Sequence, residues 1–385
     1  MQNAKCKMIN EKCRGADGAF GGCGIARATP NFAFCNEHFA FCNFRRGHHS
    51  ANARPGVTLV ELLVTMLIIT ILAGLILGVA SVAGETARKA QTRLTVQRLH
   101  KLMLEHYDTY KTRRVKVRQP VVDRINAQPT SKRGQLMATA RLMALRELML
   151  IEIPDRWRDI LLTDAPIGPS DQVPYPQYLD VSGSGTRRTE LSSIYLCRYR
   201  QIAPSTENQS AECLYLIITL ATGDGEARSL FGENSIGDTD GDGANEFLDA
   251  WDRPISFLRW APGFDSQIQV DAKTLGLPSD TSNAKWIAAA SGDHDPFDLY
   301  RIDPAAFRLI PLVFSAGGDE TIGIQTAESV PTWQGISNSA TPPPADPKDW
   351  PSLLPYARDN TSVYPGSLAG EGAADNVHNH LLGQR

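Results

Sequence analysis

The side chains of this sequence best suited to bind a metal ion are five carboxylates between residues 238 and 249, which are accompanied by a glycine. Asp238, Asp240 and Asp242 alternate along the chain, and Gly243 follows at once. Calcium binds roughly six to eight oxygen atoms, and alternate carboxylates on a tight glycine turn can meet around one ion. The sequence therefore predicts a calcium loop with these ligands: Asp238, Asp240, Asp242, the backbone carbonyl of Ala244, Glu246 and Asp249.

The predicted loop differs from an EF-hand in two respects. Its twelfth position is Asp249, where an EF-hand has a bidentate glutamate, and no clear pair of helices flanks it. We therefore expect the calcium loop to lie in a different fold. The alternative is an acidic, glycine-rich turn that binds no metal.

One carboxylate, Glu61, interrupts a long apolar segment. Between Val57 and Gly84 no other residue is charged, and a helix over this segment would be about 40 Å long, enough to cross a bilayer. A carboxylate in hydrocarbon costs about 2.5–3.5 kcal/mol on insertion scales. Glu61 is thus either a stray carboxylate near the interface of a signal anchor or a residue that a function requires.

The residues Gly56, Val57 and Glu61, followed by the apolar run, resemble the class III signal of type IV pilins and type II secretion pseudopilins. The resemblance implies that a prepilin peptidase cuts between Gly56 and Val57 and methylates the new N-terminus. The family usually has Phe where Val57 stands. The resemblance also implies that Glu61, the fifth mature residue, pairs with the N-terminal amine of a neighbouring subunit within the lipid.

Positive charges lie on both sides of the apolar segment, so they do not predict its orientation. The resemblance implies a single pass through the inner membrane, with a leader of residues 1–56 in the cytoplasm and the globular part in the periplasm. A secretory signal peptide cut near Gly84 is the competing interpretation. Its apolar core would be only about 7–15 residues long.

A second segment, Asp249, Trp251 and Pro254, resembles the Asp-x-Trp-Gly-x-Pro segment of type II secretion major pseudopilins. In that family the segment opens the β-strand part of the globular domain. Asp252 stands where the family has Gly, so we expect the turn to differ.

Ser315 and Asp319 resemble the Ser-x-Gly-x-Asp-Gly loop that follows the last strand in the same family, with Glu320 in place of the second Gly. In that family the loop carries a calcium ion. The resemblance therefore implies a second metal loop that contains Ser315 and Asp319.

Composition restricts the remaining classes of function. The 385-residue chain has a net charge of −3, which gives no polyelectrolyte signature, so we predict no nucleic-acid partner. It contains no P-loop, G-x-S-x-G or H-E-x-x-H motif, and metal binding explains the aspartate cluster more simply than acid–base catalysis. We therefore predict that the protein is not an enzyme.

The cysteines divide into two groups. Five of the seven lie in the leader, and only Cys197 and Cys213 lie in the predicted mature chain, where they could form a disulfide or remain two buried thiols. The leader could in principle bind zinc, but its spacing matches no closed four-ligand pattern, so a discarded, reduced leader is the alternative. The leader residues concerned are Cys35, His38, Cys42, His48 and His49.

The predicted fold is α+β, with a long N-terminal spine helix packed on a small antiparallel sheet. Residues 57–84 would be the transmembrane part of the spine and 85–114 its amphipathic part, whose apolar stripe comprises Leu94, Val96, Leu99, Leu102 and Met103. Residues 115–210 would form a helical and loop insertion with a helix over 133–150. Residues 211–335 would form the globular domain, in which 211–221 is a strand or, as we favour, a helix. Residues 336–385 would be a mostly disordered tail, in which His378 and His380 are solvated polar residues.

Two functions remain open from the sequence. The first is a structural subunit of a type II secretion-like pseudopilus, with prepilin peptidase, other pilin-like subunits, an inner-membrane secretion platform and membrane lipid as partners. The second is a membrane-anchored, calcium-stabilised binding module of the cell envelope that does not polymerise. The sequence does not distinguish a major from a minor pseudopilin.

Overall fold

The computed structural model describes residues 56, 58–161, 176, 178–181, 188–221, 226–264, 266, 268–270, 284–304, 306–326, 365–369 and 376–381. Two compact units divide the chain, Met1–Glu85 and Thr86–Arg385. The architecture is α+β, with one long apolar helix, several shorter helices and small antiparallel sheets, as the sequence predicts.

Helix α1 runs from Leu59 to Thr109, a stretch of 51 residues. Within the first unit the described side chains from Leu59 onward are exposed. Among the described residues α1 is the one helix that is long and apolar enough to cross a membrane. Its start agrees with the predicted span.

The second half of α1 belongs to the second unit and is amphipathic. Val96, Leu99, Met103 and Tyr107 are buried at spacings of three and four residues, which is one face of a helix. Leu94 is 55% exposed, because it lies off this face, so the prediction was wrong for that residue.

The second unit is largely helical up to residue 229. The sequence predicted a helix over residues 133–150, and α3 confirms it. Residues 209–221 are also helical, although the last turn widens into a π-helix over Ile217–Ala221. The bounds are α2 Gln119–Asn126, α3 Thr130–Glu152, α4 Trp157–Leu161, α5 Glu190–Ile202, α6 Gln209–Leu216, α7 Glu226–Ser229 and α8 Ala284–Gly292.

Two small antiparallel sheets complete the unit. Strands β1 (Ile236–Gly237) and β2 (Glu246–Phe247) pair with Gly237 opposite Glu246. The second sheet has the order β3 (Ser256–Leu258), β4 (Leu312–Ser315), β5 (Val377–His378). Every residue of β3 and β4 is buried, so this sheet is covered on both faces.

Residues 376–381 of the predicted tail are attached to the second sheet, while the prediction that the tail is mostly disordered stays a prediction. β5 pairs with β4, and the side chain of Asn379 accepts from the N–H of Val313 at 2.9 Å and donates to the carbonyl of Pro311 at 2.8 Å. His380 is 1% exposed, not solvated. Both hydrogen bonds and the buried side chain of Val377 attach this segment to the sheet and the core. Most of the remaining tail lies outside the described residues.

Side chains from residues 115–210 and from 211–335 share one hydrophobic core, which includes Met149, Tyr195, Phe257 and Val313. The predicted helical insertion therefore contributes to the same core as the sheet residues. The domain boundaries at 115 and 210 stay predictions.

Candidate functional sites

The acidic loop, residues 238–246, connects β1 to β2 and turns sharply. Asp238 closes the turn, since its two carboxylate oxygens accept from the N–H groups of Gly241 at 2.7 Å and Gly243 at 2.9 Å. Both glycines have positive φ, 77° and 95°, where side chains are disfavoured. The glycine expected at position 243 is thus required by the backbone.

Three aspartates meet on this loop as the sequence predicted. Asp238, Asp240 and Asp242 each offer a carboxylate oxygen, and these oxygens lie within 4.8 Å of one another. Ser205, in the α5–α6 connection, holds two of them, because its N–H donates to Asp242 at 2.5 Å and its hydroxyl to Asp240 at 2.8 Å. Three carboxylates so placed fit a hard divalent cation.

The other two nearby predicted ligands lie deeper. Ala244 is buried and its N–H donates to Asp242 at 2.8 Å. Glu246 is fully buried on β2, and Thr239 donates to it from its N–H at 3.1 Å and its hydroxyl at 3.2 Å. Burial raises the pKa of Glu246 to about 7, although the hydrogen bonds from Thr239 oppose the shift.

Glu212 is a member of the site that the sequence analysis missed. It lies on α6, and one of its oxygens is within 4.8 Å of ligand oxygens of Asp240 and Glu246. Burial, followed by repulsion from Asp242, raises its pKa to about 9, against the effect of the indole N–H of Trp157, which donates at 2.5 Å. The one sequence signal was its position as the only charged residue between Ala211 and Ala221.

Asp249 belongs to neither carboxylate group of the loop, and its assignment as the twelfth calcium ligand stays a prediction. One carboxylate oxygen accepts from the N–H groups of Trp251 at 2.8 Å and Arg253 at 3.0 Å. The other accepts from the hydroxyl of Ser315 at 2.6 Å. Asp249 instead stabilises the turn that follows β2, because the chain leaves the acidic loop along β2 before reaching it.

The hydrogen bond from Ser315 to Asp249 joins the two segments that resemble major pseudopilins. We name residues 249–253 and 315–320 together the turn pair. Arg253 and Glu320 form a second link, an ion pair of 2.5 Å. The Asp319 carboxylate accepts from the N–H of Thr321 at 2.9 Å. Ser315 thus contacts the carboxylate of Asp249, and a second metal loop that contains Ser315 and Asp319 stays a prediction.

The two departures from the family pattern fall at the same kind of backbone position. Asp252 has a φ of 61° and Glu320 a φ of 70°, both in the left-handed region that favours glycine. The expectation that the turn at Asp252 differs from the family's turn stays a prediction. Surrounding hydrogen bonds impose the glycine conformation on another residue type.

At the N-terminal site, Gly56 is exposed and Val57 lies outside the described residues. The hydroxyl oxygen of Thr58 accepts from the N–H of Glu61 at 3.2 Å and so caps α1. Glu61 is exposed in the first turn of the apolar half, one turn after the predicted cleavage point.

The N-terminal segment is also the part of the chain that matches a known family model. Residues 52–77 match the prokaryotic N-terminal methylation motif. The motif supports a type IV pilin-like precursor that prepilin peptidase processes, and together with the apolar helix it supports a membrane-anchored, single-pass protein. No curated protein and no solved structure matches the chain.

The cysteine predictions have separate outcomes. Cys197 and Cys213 are both buried, as thiols and not as a disulfide, which corresponds to the second alternative. The leader, with its predicted zinc ligands, lies outside the described residues.

Proposed function

We propose that the protein is a structural pilin-like subunit of a type II secretion-like pseudopilus. After cleavage by prepilin peptidase it would assemble with other pilin-like subunits, through the apolar half of α1, on an inner-membrane secretion platform. The role is structural and not catalytic. The globular unit would lie in the periplasm and the leader in the cytoplasm.

The observation that carries this proposal is the position of Glu61. It lies in the methylation motif, in the first helical turn after Gly56, on an apolar helix that exposes Leu, Ile and Val. An unpaired carboxylate in hydrocarbon is unfavourable, whereas a positive N-terminal amine from a neighbouring subunit would neutralise it. The pairing would fix the axial register between subunits.

We also propose that calcium binds the acidic loop and stabilises the second unit. The supporting observation is the convergence of Asp238, Asp240 and Asp242 on a turn whose glycines have positive φ. The ion would make the globular unit rigid and would take no part in a reaction.

The first test is the N-terminal mass of the protein recovered from membranes with and without prepilin peptidase. We expect a terminus at Val57, with or without one methyl group, only when the peptidase is present. A terminus near Gly84, or an uncut chain in both strains, would contradict the proposal.

The second test replaces Glu61 by Gln. Since the pairing charge is lost, we expect cross-linked oligomers and filaments to disappear while membrane insertion and the mature N-terminus persist. Glu105→Gln is the matched control, because Glu105 is an exposed carboxylate on the same helix beyond the span. Unchanged assembly of Glu61→Gln would favour the non-polymerising, membrane-anchored binding module.

A further inference from the structure

The carboxylate of Glu212 is buried and only half satisfied. Glu212 is 1% exposed. One oxygen accepts from the indole N–H of Trp157, but the other has no hydrogen-bond partner in the part of the chain that the structure describes. A buried carboxylate oxygen without a hydrogen-bond partner is energetically unfavourable, so a ligand bound to this oxygen would stabilise it.

Glu212 also belongs to a group of three carboxylates that could surround one ion. Glu212, Asp240 and Glu246 each place an oxygen within 4.8 Å of the other two. Two oxygens that bind one calcium ion at 2.3–2.6 Å can be at most about 5.2 Å apart. Three oxygens at these separations therefore meet the distance requirement for a shared ion.

The local charge also favours more than one cation. Five carboxylates line the two groups, and the ion pairs described for the chain include none of them. The five are Glu212, Asp238, Asp240, Asp242 and Glu246. Once all five carboxylates have lost their protons, one divalent ion would leave three uncompensated negative charges, whereas two would leave one.

We propose that a second calcium ion binds at an inner position between Glu212, Asp240 and Glu246. Asp240 would bridge it to the outer ion held with Asp238 and Asp242. The inference rests on the proposal that the acidic loop binds calcium, and it adds a ligand that the loop motif does not contain. The inner ion would link helix α6 directly to strand β2.

The test is a calcium titration of the full chain in detergent, after treatment with a chelator, followed by calorimetry. We expect two calcium ions per wild-type chain and one for Glu212→Gln. Glutamine keeps the size of the side chain but removes its charge. Any residual binding at the inner position should be weakened by about tenfold or more, since even changes around metal ligands have effects of this size.

Two variants separate the inner from the outer position. Asp238→Asn should remove the outer ion and leave the inner one, because Asp238 belongs only to the outer group. Glu147→Gln is the matched control, since Glu147 is also a fully buried carboxylate on a helix and accepts from the N–H groups of Tyr178 and Leu179. It should retain both ions.

Trp157 supplies a second readout that does not depend on the folding of Glu212→Gln. Because its indole contacts Glu212, calcium should change the tryptophan fluorescence of the wild type and of Asp238→Asn, and this change should be lost in Trp157→Phe. Absence of the change in a wild type that binds calcium would overturn the inner position.

The outcomes distinguish this inference from the loop proposal. One ion per wild-type chain, with unchanged affinity in Glu212→Gln, would overturn the inner position and leave the loop proposal intact. No calcium binding by the wild type would overturn both. The same calcium stoichiometry in Glu212→Gln as in the wild type would contradict the role of Glu212.

Discussion

The acidic loop and the turn pair both contain hydrogen-bonded carboxylates, but the carboxylates converge on one another in the loop alone among these two regions. In the loop, the carboxylates of Asp238, Asp240 and Asp242 face one another across less than 5 Å. In the turn pair, each oxygen of Asp249 accepts hydrogen bonds, and three donors of the chain supply them. Both regions were predicted from sequence to contain metal ligands.

The difference shows what decides whether a carboxylate can serve a cation. Asp249 comes directly after β2, where two N–H groups of the following turn and one hydroxyl reach it. The oxygens of the loop aspartates also accept hydrogen bonds, but one oxygen of each aspartate lies within 4.8 Å of the others. A carboxylate is therefore suited to bind a cation where its oxygens converge with those of other carboxylates, and residue spacing alone does not report that convergence.

The largest expected effect is a loss of stability on replacement of Asp249 in the turn pair, and this loss should not depend on calcium. Asp249→Ala should lower the free energy of unfolding by about 3 kcal/mol, because it leaves two N–H groups and one hydroxyl in a buried site without their acceptor. The loss should be the same with calcium and with a chelator. Denaturant unfolding measures it.

Asp249→Asn is the control for this change. It retains one carbonyl oxygen for the two N–H groups and places an amide against Ser315, so we expect a smaller loss than for alanine. If the loss of stability in Asp249→Ala disappeared on chelation, Asp249 would be a calcium ligand.

The second effect is the calcium dependence of stability. At a hundredfold excess over the dissociation constant, one ion should raise the free energy of unfolding by about 2.7 kcal/mol. Asp240→Asn should abolish most of this gain, because Asp240 belongs to both carboxylate groups. Thermal unfolding with calcium and with chelator measures the difference.

The turn pair again provides the matched control. Asp319→Asn removes a carboxylate of the predicted second metal loop and should leave the calcium-dependent gain unchanged. If Asp319→Asn lost the calcium-dependent gain in stability and Asp240→Asn kept it, the metal site would lie in the turn pair and not in the acidic loop.

The smallest effect concerns the backbone of the turn pair. Asp252 is exposed and has a φ of 61°, so Asp252→Gly should stabilise the protein by about 0.5 kcal/mol through relief of the left-handed conformation. Asp252→Ala should destabilise it, since alanine adds no local hydrogen bond. Equal stability of the two variants, in denaturant unfolding, would show that the turn stores no strain.

Sequence patterns predicted the features that depend on neighbouring residues. The apolar span of α1, its amphipathic continuation and α3 follow from periodicity and length, and the structure confirms all three. The turn of the acidic loop also follows from neighbours, because Asp238 caps N–H groups only three and five residues away. Leu94 was assigned wrongly because it lies off the helix face that Thr92, Val96 and Leu99 bury.

The features that sequence patterns missed depend on residues far apart in the chain. Asn379 attaches the tail to β4 through hydrogen bonds with Pro311 and Val313, so a polar segment became a strand edge. Similarly, Ser315 reaches Asp249 across 66 residues of chain. Neither contact leaves a local pattern in hydrophobicity or charge.

The sequence by itself determined the processing motif, the apolar helix with Glu61 and the aspartate turn, since each depends on local spacing, charge and backbone freedom. Only the tertiary structure decided which carboxylates share a site. Packing of α6 against β2 brings Glu212 to Asp240 and Glu246, while the turn after β2 takes Asp249 away. The physical reason is that a cation site requires oxygens to converge in space, and convergence between distant residues is fixed by the packing of the elements that carry them.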